Sequence, residues 1–217
     1  MGAFEDLDTD EPLAKRMERH AYDRLIMLSD GVFAIAITLA ALEIRAPANW
    51  DRNPYTLAHA IVPTLASYAI AFAVISAYWM AHRRMIAKLV RVDALATVLN
   101  LIFLGLIALQ PAAVRLLTDY GPTGLTGQIY YGQIVLIGVV QGLFWLYAST
   151  GGRLVDPALG WAARAFVLVN TILIPLLSAF IGVTAAQVRS APVVLAMIGV
   201  LVVIGFGRRF IDRRFGF

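Results

Sequence analysis

The chain has 217 residues, of which 60% are hydrophobic and only 15% are charged, and its mean hydropathy is +0.75. Soluble domains usually carry about 45–50% apolar and about 25% charged residues, so this composition excludes an ordinary soluble domain. The net charge of +4 comes from basic residues that flank apolar stretches, so nucleic acid is not an expected partner. Cysteine is absent, which excludes disulfides and thiolate metal ligands.

Six apolar stretches follow a charged N-terminal segment, and we interpret each of them as a helix that crosses the hydrocarbon layer. None of them shows the alternating pattern of an outer-membrane β-strand. The sequence therefore predicts an all-α, polytopic membrane protein with six transmembrane helices. In chain order, the predicted spans are 25–44, 57–80, 92–117, 129–149, 161–186 and 193–206.

The distribution of basic residues predicts the orientation of these spans. Of the 18 Lys and Arg residues, 14 lie in the N-terminal segment, the second and fourth connections and the C-terminal segment. Because cytoplasmic connections are enriched in Lys and Arg, we expect both termini in the cytoplasm. We divide the chain into a cytoplasmic segment, 1–24, one transmembrane domain, 25–207, and a basic cytoplasmic tail, 208–217.

The first predicted span has an apolar stripe along one side. At 100° per residue, seven residues fall within about 50° of one line, whereas Ser29, Asp30 and Phe33 lie on the opposite side. From the residues alone, such a stripe fits a lipid-facing surface, a packing surface or a pore lining. The stripe consists of Leu28, Gly31, Ile35, Thr38, Leu39, Leu42 and Ala46.

The same span carries a long and specific motif. The string R-x-x-x-L-S-D-G-V-F-A-I-A-I-T-L-A-A-L-E-I runs from Arg24 to Ile44. It resembles the first-helix signature of the transmembrane protein 175 family of potassium channels, R-x-x-x-F-S-D followed by G-V-F-A-I-A-I-T-L, although Leu28 stands where the family has Phe. The length and the six-helix count agree with the single-repeat bacterial members of that family. Further matching positions are Trp79, His82, Asp93, Asn100 and Pro111.

The resemblance implies a passive, potassium-permeable cation channel in the bacterial inner membrane. In such a channel the first helices of a homotetramer line a central pore, and the hydrophobic constriction corresponds to Ile35, with Leu39 and Leu42 at the next turns. Thr38 corresponds to a selectivity layer, where hydroxyl oxygens replace part of a cation's hydration shell. The expected partners are the lipid bilayer, monovalent cations and further copies of this chain, with no cofactor. The string T-V-G-Y-G is absent, so we expect modest selectivity.

A polar network is expected near the cytoplasmic end of the first span. An ionised residue inside lipid costs on the order of 2.5–3.5 kcal/mol, so Asp30 should face protein and have a partner. We expect Arg24 or His82 to pair with Asp30, and Ser29 and Asn100 to complete the hydrogen bonds. The network would then hold the pore helix in place. For His82, an interfacial position beside the neighbouring arginines remains an alternative.

Two other functions remain open from the residues. A secondary transporter for a small cation or solute would need a polar pocket at mid-membrane, and the spans offer few polar groups there. A non-conducting membrane scaffold would need no such pocket. No Walker A string, catalytic triad or paired carboxylates are present in the sequence, so an enzyme is not expected.

Overall fold

The computed structural model describes residues 13–42, 44–46, 50–121, 124–150 and 154–187. The described part is helical, and five of its segments are long and apolar enough to cross a membrane. The protein is therefore a multi-pass helical membrane protein, as predicted. The sixth predicted span, 193–206, lies outside the described residues. The helices are α1 Leu13–Ala41, α2 Pro54–Ile86, α3 Ala94–Ala108, α4 Gln110–Tyr120, α5 Gly124–Ser149 and α6 Trp161–Gln187.

The first helix begins well before the apolar stretch that predicts it. Residues 13–24 continue α1 without interruption, because this charged segment consists largely of Leu, Ala, Lys, Arg, Met and Glu, which all favour helix. The boundary that we expected at residue 24 is therefore not a boundary of secondary structure.

The third predicted span consists of two helices. The segment Ala94–Leu117 is long and apolar enough to cross the membrane once, but α3 ends at Ala108 and α4 begins at Gln110. Pro111 lies in the first turn of α4, where a residue without an N–H is tolerated, whereas in a continuous helix the same residue would remove a hydrogen bond. The segment is therefore a candidate span, as predicted, and its division at Leu109 is a correction.

α5 lies against most of the other helices. It packs on α3, α4 and α6, and its large side chains Tyr130, Ile134, Phe144 and Trp145 are fully buried. The Tyr78 hydroxyl of α2 donates a hydrogen bond to the Ile134 carbonyl at 2.6 Å. Since lipid tails are as apolar as these side chains, close packing and hydrogen bonds supply the association energy.

Backbone contacts bring three parts of the chain to one end of the bundle. The Tyr22 hydroxyl of α1 donates to the carbonyl of Ile86, the last residue of α2, at 3.0 Å. The connection after α2 then pairs with the connection after α5, where the Val90 N–H donates to the Leu154 carbonyl at 2.8 Å. We call this the basic end, because it also carries Arg83, Arg84, Lys88 and Arg91.

Gly138 sets the distance between α5 and α6. A Cβ at this position would overlap the ring of Pro175, whereas a Cβ at Gly132, also in α5, would have nothing within 4 Å. The Gly138-to-Gly142 pair therefore lies at a helix contact within the subunit, as small residues at this spacing allow.

We expect Gly138→Ala to destabilise the protein by about 1–3 kcal/mol, because the added methyl must push α6 away. Gly132→Ala is the matched control, with an expected change near zero. Thermal unfolding of the two purified variants in detergent, followed by circular dichroism, measures the difference. Equal midpoints would contradict the close contact.

Candidate pore helix and its polar support

α1 has one face that packs inside the subunit. The side chains of Phe33, Ala36 and Ala40 are no more than 1% exposed, and Ser29 is 2% exposed. This face contacts α2, α3 and α4, and its two alanines permit the close approach that helix packing in membranes favours. α1 thus packs against the rest of the subunit through two alanines, one serine and one phenylalanine.

The opposite face of α1 is open. Ile35 is 59% exposed, Leu39 is 43% exposed and Leu42 is 61% exposed, and Thr38 is exposed beside them. The structure therefore brings the four residues of the expected constriction together on one face. Packing among the described residues leaves this face uncovered. We call it the α1 stripe, formed by Leu28, Gly31, Ile35, Thr38, Leu39 and Leu42. Ala46, the seventh residue of the predicted stripe, lies beyond the end of α1 at Ala41.

Thr38 supplies a side-chain oxygen to the stripe. Its hydroxyl donates to the carbonyl oxygens of Ala34 at 3.1 Å and Ile35 at 2.9 Å. Because a hydroxyl has a single proton, this bifurcated bond uses its donor and leaves lone pairs for other partners. A neutral oxygen of this kind can replace a water in the shell of a cation.

Behind the stripe, Ser29 links α1 to α3. The Ser29 hydroxyl donates to the Leu25 carbonyl at 2.7 Å and accepts a hydrogen bond from Asn100 Nδ2 at 3.2 Å. Ser29 and Asn100 are both buried. A hydrogen bond between buried side chains of two membrane helices fixes their rotation relative to each other.

His82 acts as a packing residue in the subunit. It is 2% exposed, and its ring stacks on Phe103 with the centroids 4.8 Å apart and contacts Phe33 at 5.8 Å. His82 therefore lies inside the subunit and not on its surface. Neither ring nitrogen has a hydrogen-bond partner among the described residues, so the expected bond from His82 to Asp30 is absent there.

Asp30 has a partner that we did not expect. Its Oδ1 accepts a hydrogen bond from the indole Nε1 of Trp79 at 2.8 Å, and the Arg83 guanidinium lies 5.5 Å from the Trp79 ring centroid. A cation over the face of an indole is attracted to it. Asp30, Trp79 and Arg83 thus form a chain of polar contacts between α1 and α2.

The prediction that Asp30 pairs with Arg24 or His82 is wrong, and helix geometry explains why. Arg24 precedes Asp30 by six residues, which places the two side chains about 120° apart around α1. Trp79 precedes His82 by three residues, so both lie on one face of α2. The W-x-x-H spacing could have identified Trp79 as the residue that faces Asp30.

A cavity of about 380 Å³ between α1 and α2 adjoins this chain of contacts. Asp30, Trp79 and Arg83 are among its lining residues. A cavity of this size has room for water, so water can reach the Asp30 carboxylate from this side.

Asp93 has a structural role at the start of α3. It is the N-cap residue, and its Oδ1 accepts from the Ala96 N–H at 2.8 Å. Its Oδ2 accepts from the Tyr147 hydroxyl of α5. An N-cap Asp satisfies an N–H that the helix itself leaves unpaired. Here the same carboxylate also ties α3 to α5, a contact that the sequence did not indicate.

These features define a multi-pass helical membrane protein whose first helix has an open, largely apolar face. Residues 24–111 match the family model described as the endosomal/lysosomal potassium channel TMEM175. A protein of Streptomyces collinus named a potassium channel is 33% identical over 150 residues, covering 65% of this chain and 72% of that protein. One of Chamaesiphon minutus with the same name is 30% identical over 143 residues, covering 63% and 70%. The chain belongs to the TMEM175 family.

The fold agrees with a solved structure. The crystal structure of a lysosomal potassium-selective channel TMEM175 homolog from Chamaesiphon minutus superposes with a TM-score of 0.71. The match covers 86% of this chain and 97% of the other, at 22% sequence identity. At this identity the comparison supports the fold.

We expect Asp30→Ala to reduce the stability of the folded protein by about 1–3 kcal/mol, since Trp79 loses its acceptor. If the two residues act as a pair, Trp79→Phe combined with Asp30→Ala should cost less than the sum of the single changes. Unfolding midpoints and purification yields of the three variants measure this coupling.

Asp119→Ala is the matched control for this cycle. Asp119 forms an exposed ion pair with Arg115 at 3.6 Å, and such pairs contribute at most about 1 kcal/mol. Additive losses, or a well-folded Asp30→Ala variant with a changed ion preference, would show that the Asp30–Trp79 contact does not brace α1.

Proposed function

We propose that this protein is a potassium-permeable cation channel that conducts passively through a pore lined by α1. The proposal depends on one observation above all, the exposed α1 stripe with Ile35 and Thr38 at its centre. Two relatives that share most of their length with this chain carry the name potassium channel. We assign the protein to the bacterial inner membrane with both termini in the cytoplasm, in keeping with the basic end described above.

A homotetramer is part of this proposal, because the core of one subunit is closely packed as far as the structure describes it. Its interior is filled by large side chains, among them Phe33, Tyr78, Phe103 and Ile134. A pathway between identical helices needs several copies around an axis, and head-to-tail contacts that close on themselves produce such a ring. Four α1 stripes around one axis would cover the apolar side chains that this face of each subunit leaves exposed.

In this arrangement Ile35 forms the constriction, and Leu39 and Leu42 form apolar rings at the next turns. Apolar rings restrict the bore and can close it to ions by dewetting. Thr38 adds a layer of neutral oxygens between them, which favours a weakly hydrated cation. The expected result is conduction with moderate preference for potassium over sodium.

We assign the polar residues behind the stripe a bracing role. Ser29 and Asn100 bond to each other, His82 packs between aromatic rings, and Asp30 bonds to α2 through Trp79. These contacts hold the rotation of α1, and with it the direction in which Ile35 and Thr38 point. The sequence places Arg24 in the same group, but among the described residues no hydrogen bond joins Arg24 to Ser29, Asp30 or Asn100.

Ion flux from the purified protein in liposomes tests the proposal. We expect potassium flux that rises in proportion to its gradient, exceeds sodium flux and is absent from protein-free liposomes. Flux that saturates at millimolar potassium with slow turnover would indicate a transporter. No flux from a folded, reconstituted protein would indicate a scaffold.

We expect Ile35→Asn to increase the current or weaken the preference for potassium, because a polar ring removes the apolar barrier. Ile102→Asn is the matched control, since Ile102 of α3 is 49% exposed and lies outside the stripe. Single-channel recordings in planar bilayers compare both variants with the wild type. Unchanged conduction in Ile35→Asn, or equal effects of the two changes, would remove Ile35 from the constriction.

A further inference from the structure

The spacing of the α1 stripe continues beyond the apolar part of the helix. Starting at Met17, exposed residues follow one another in alternating steps of four and three as far as Leu42. Steps of this kind average 3.5 residues per turn, which is the repeat of helices that pack with a left-handed twist around a shared axis. The positions are Met17, Ala21, Arg24, Leu28, Gly31, Ile35, Thr38 and Leu42, and each is exposed.

Arg24 is the charged residue in this series. It precedes Ile35 by eleven residues, or about three turns, so the two side chains leave α1 within about 20° of the same direction and about 16 Å apart along the axis. The small residues Ala21 and Gly31 occupy the neighbouring positions of the series. A long side chain at position 24 therefore has room on the same face as the constriction.

No carboxylate of α1 shares that direction close to Arg24. Asp23 projects about 100° away from Arg24 around the helix and Asp30 about 120° away, and Asp30 bonds to Trp79. Within the described part of the chain, Arg24 has no ion pair or hydrogen bond to another residue. Its charge is therefore not neutralised along the series.

We propose that the Arg24 side chains form a ring of positive charge at the basic end of the pore, and that this ring limits the entry of cations from that side. The inference rests on the proposed function. Repulsion lowers the local potassium concentration at one mouth only. Current carried into the pore from the basic end is then smaller than current of the opposite direction at the same voltage.

Ionic strength provides a direct test on the wild-type protein. The Debye length is about 30 Å at 10 mM salt and about 3 Å at 1 M, so the ring acts over the whole mouth only at low salt. Excised inside-out patches keep the orientation of the channel known. In symmetric KCl we expect outward current to be at least about twofold smaller than inward current at 10 mM, and the two to become nearly equal at 1 M.

Three variants assign the effect to Arg24. Arg24→Gln should remove the asymmetry at 10 mM, and Arg24→Lys should retain it because the charge remains. Arg19→Gln is the matched control, since Arg19 is exposed on the same helix but projects about 140° away from Arg24. It should retain the asymmetry.

The proposal is overturned if Arg24→Gln keeps the wild-type ratio of outward to inward current at 10 mM, or if Arg19→Gln removes that ratio equally well. Should Arg24→Gln fail to assemble, the wild type decides, because asymmetry that is absent or independent of salt also overturns it. A folded wild type without current in either direction at any salt contradicts the proposed function itself.

Discussion

The structure depends on the division of α1 into two faces. One face is fastened by small and polar residues, with Ser29 bonded to Asn100 of α3 and Asp30 bonded to Trp79 of α2. The other face is apolar and open. In water the hydrophobic effect would favour covering such a surface within the subunit. In a membrane the lipid tails are equally apolar, so this driving force is absent. Directional contacts on the fastened face therefore determine which residues the open face presents.

The remaining helices stabilise this arrangement from behind. α5 packs on α3, α4 and α6, and its carbonyl at Ile134 accepts the hydroxyl of Tyr78 from α2. The Asp93 carboxylate caps α3 and accepts the hydroxyl of Tyr147 from α5. α3 also carries Asn100, which bonds to Ser29 of α1. α5 therefore supports α1 indirectly, through its contacts with α3.

Much of the fold was predictable from hydropathy alone, because the cost of unpaired backbone groups in lipid makes each long apolar stretch a helix. Pro111 predicts a kink in the third span, but the division into two helices at Leu109 does not follow from the sequence, because a proline can also bend a helix that continues. The start of α1 at Leu13 does not follow from hydropathy, because residues 13–24 are charged. Their helix propensity indicates it. In both places the local backbone preference of the residues, and not their polarity, determines where a helix begins or ends.

The site was predictable to a different degree on each face of α1. Helical projection placed Ile35, Thr38 and Leu42 on one face, since that depends only on spacing. The partner of Asp30 depends on which face of α2 lies opposite, and spacing within α1 carries no such information. By charge, Arg24 or His82 is a more obvious partner for the Asp30 carboxylate than an indole N–H. In the structure, the His82 ring packs between Phe33 and Phe103 and does not bond to Asp30.

The hydroxyl of Thr38 has a polarity that its own helix imposes. Since its proton points back to the carbonyls of Ala34 and Ile35, the negative pole of the O–H dipole turns away from the helix axis. If α1 lines a pore as proposed, an anion at this level would meet lone pairs, whereas a cation would meet a ligand. An intrahelical hydrogen bond would then favour cations over anions without any charged group.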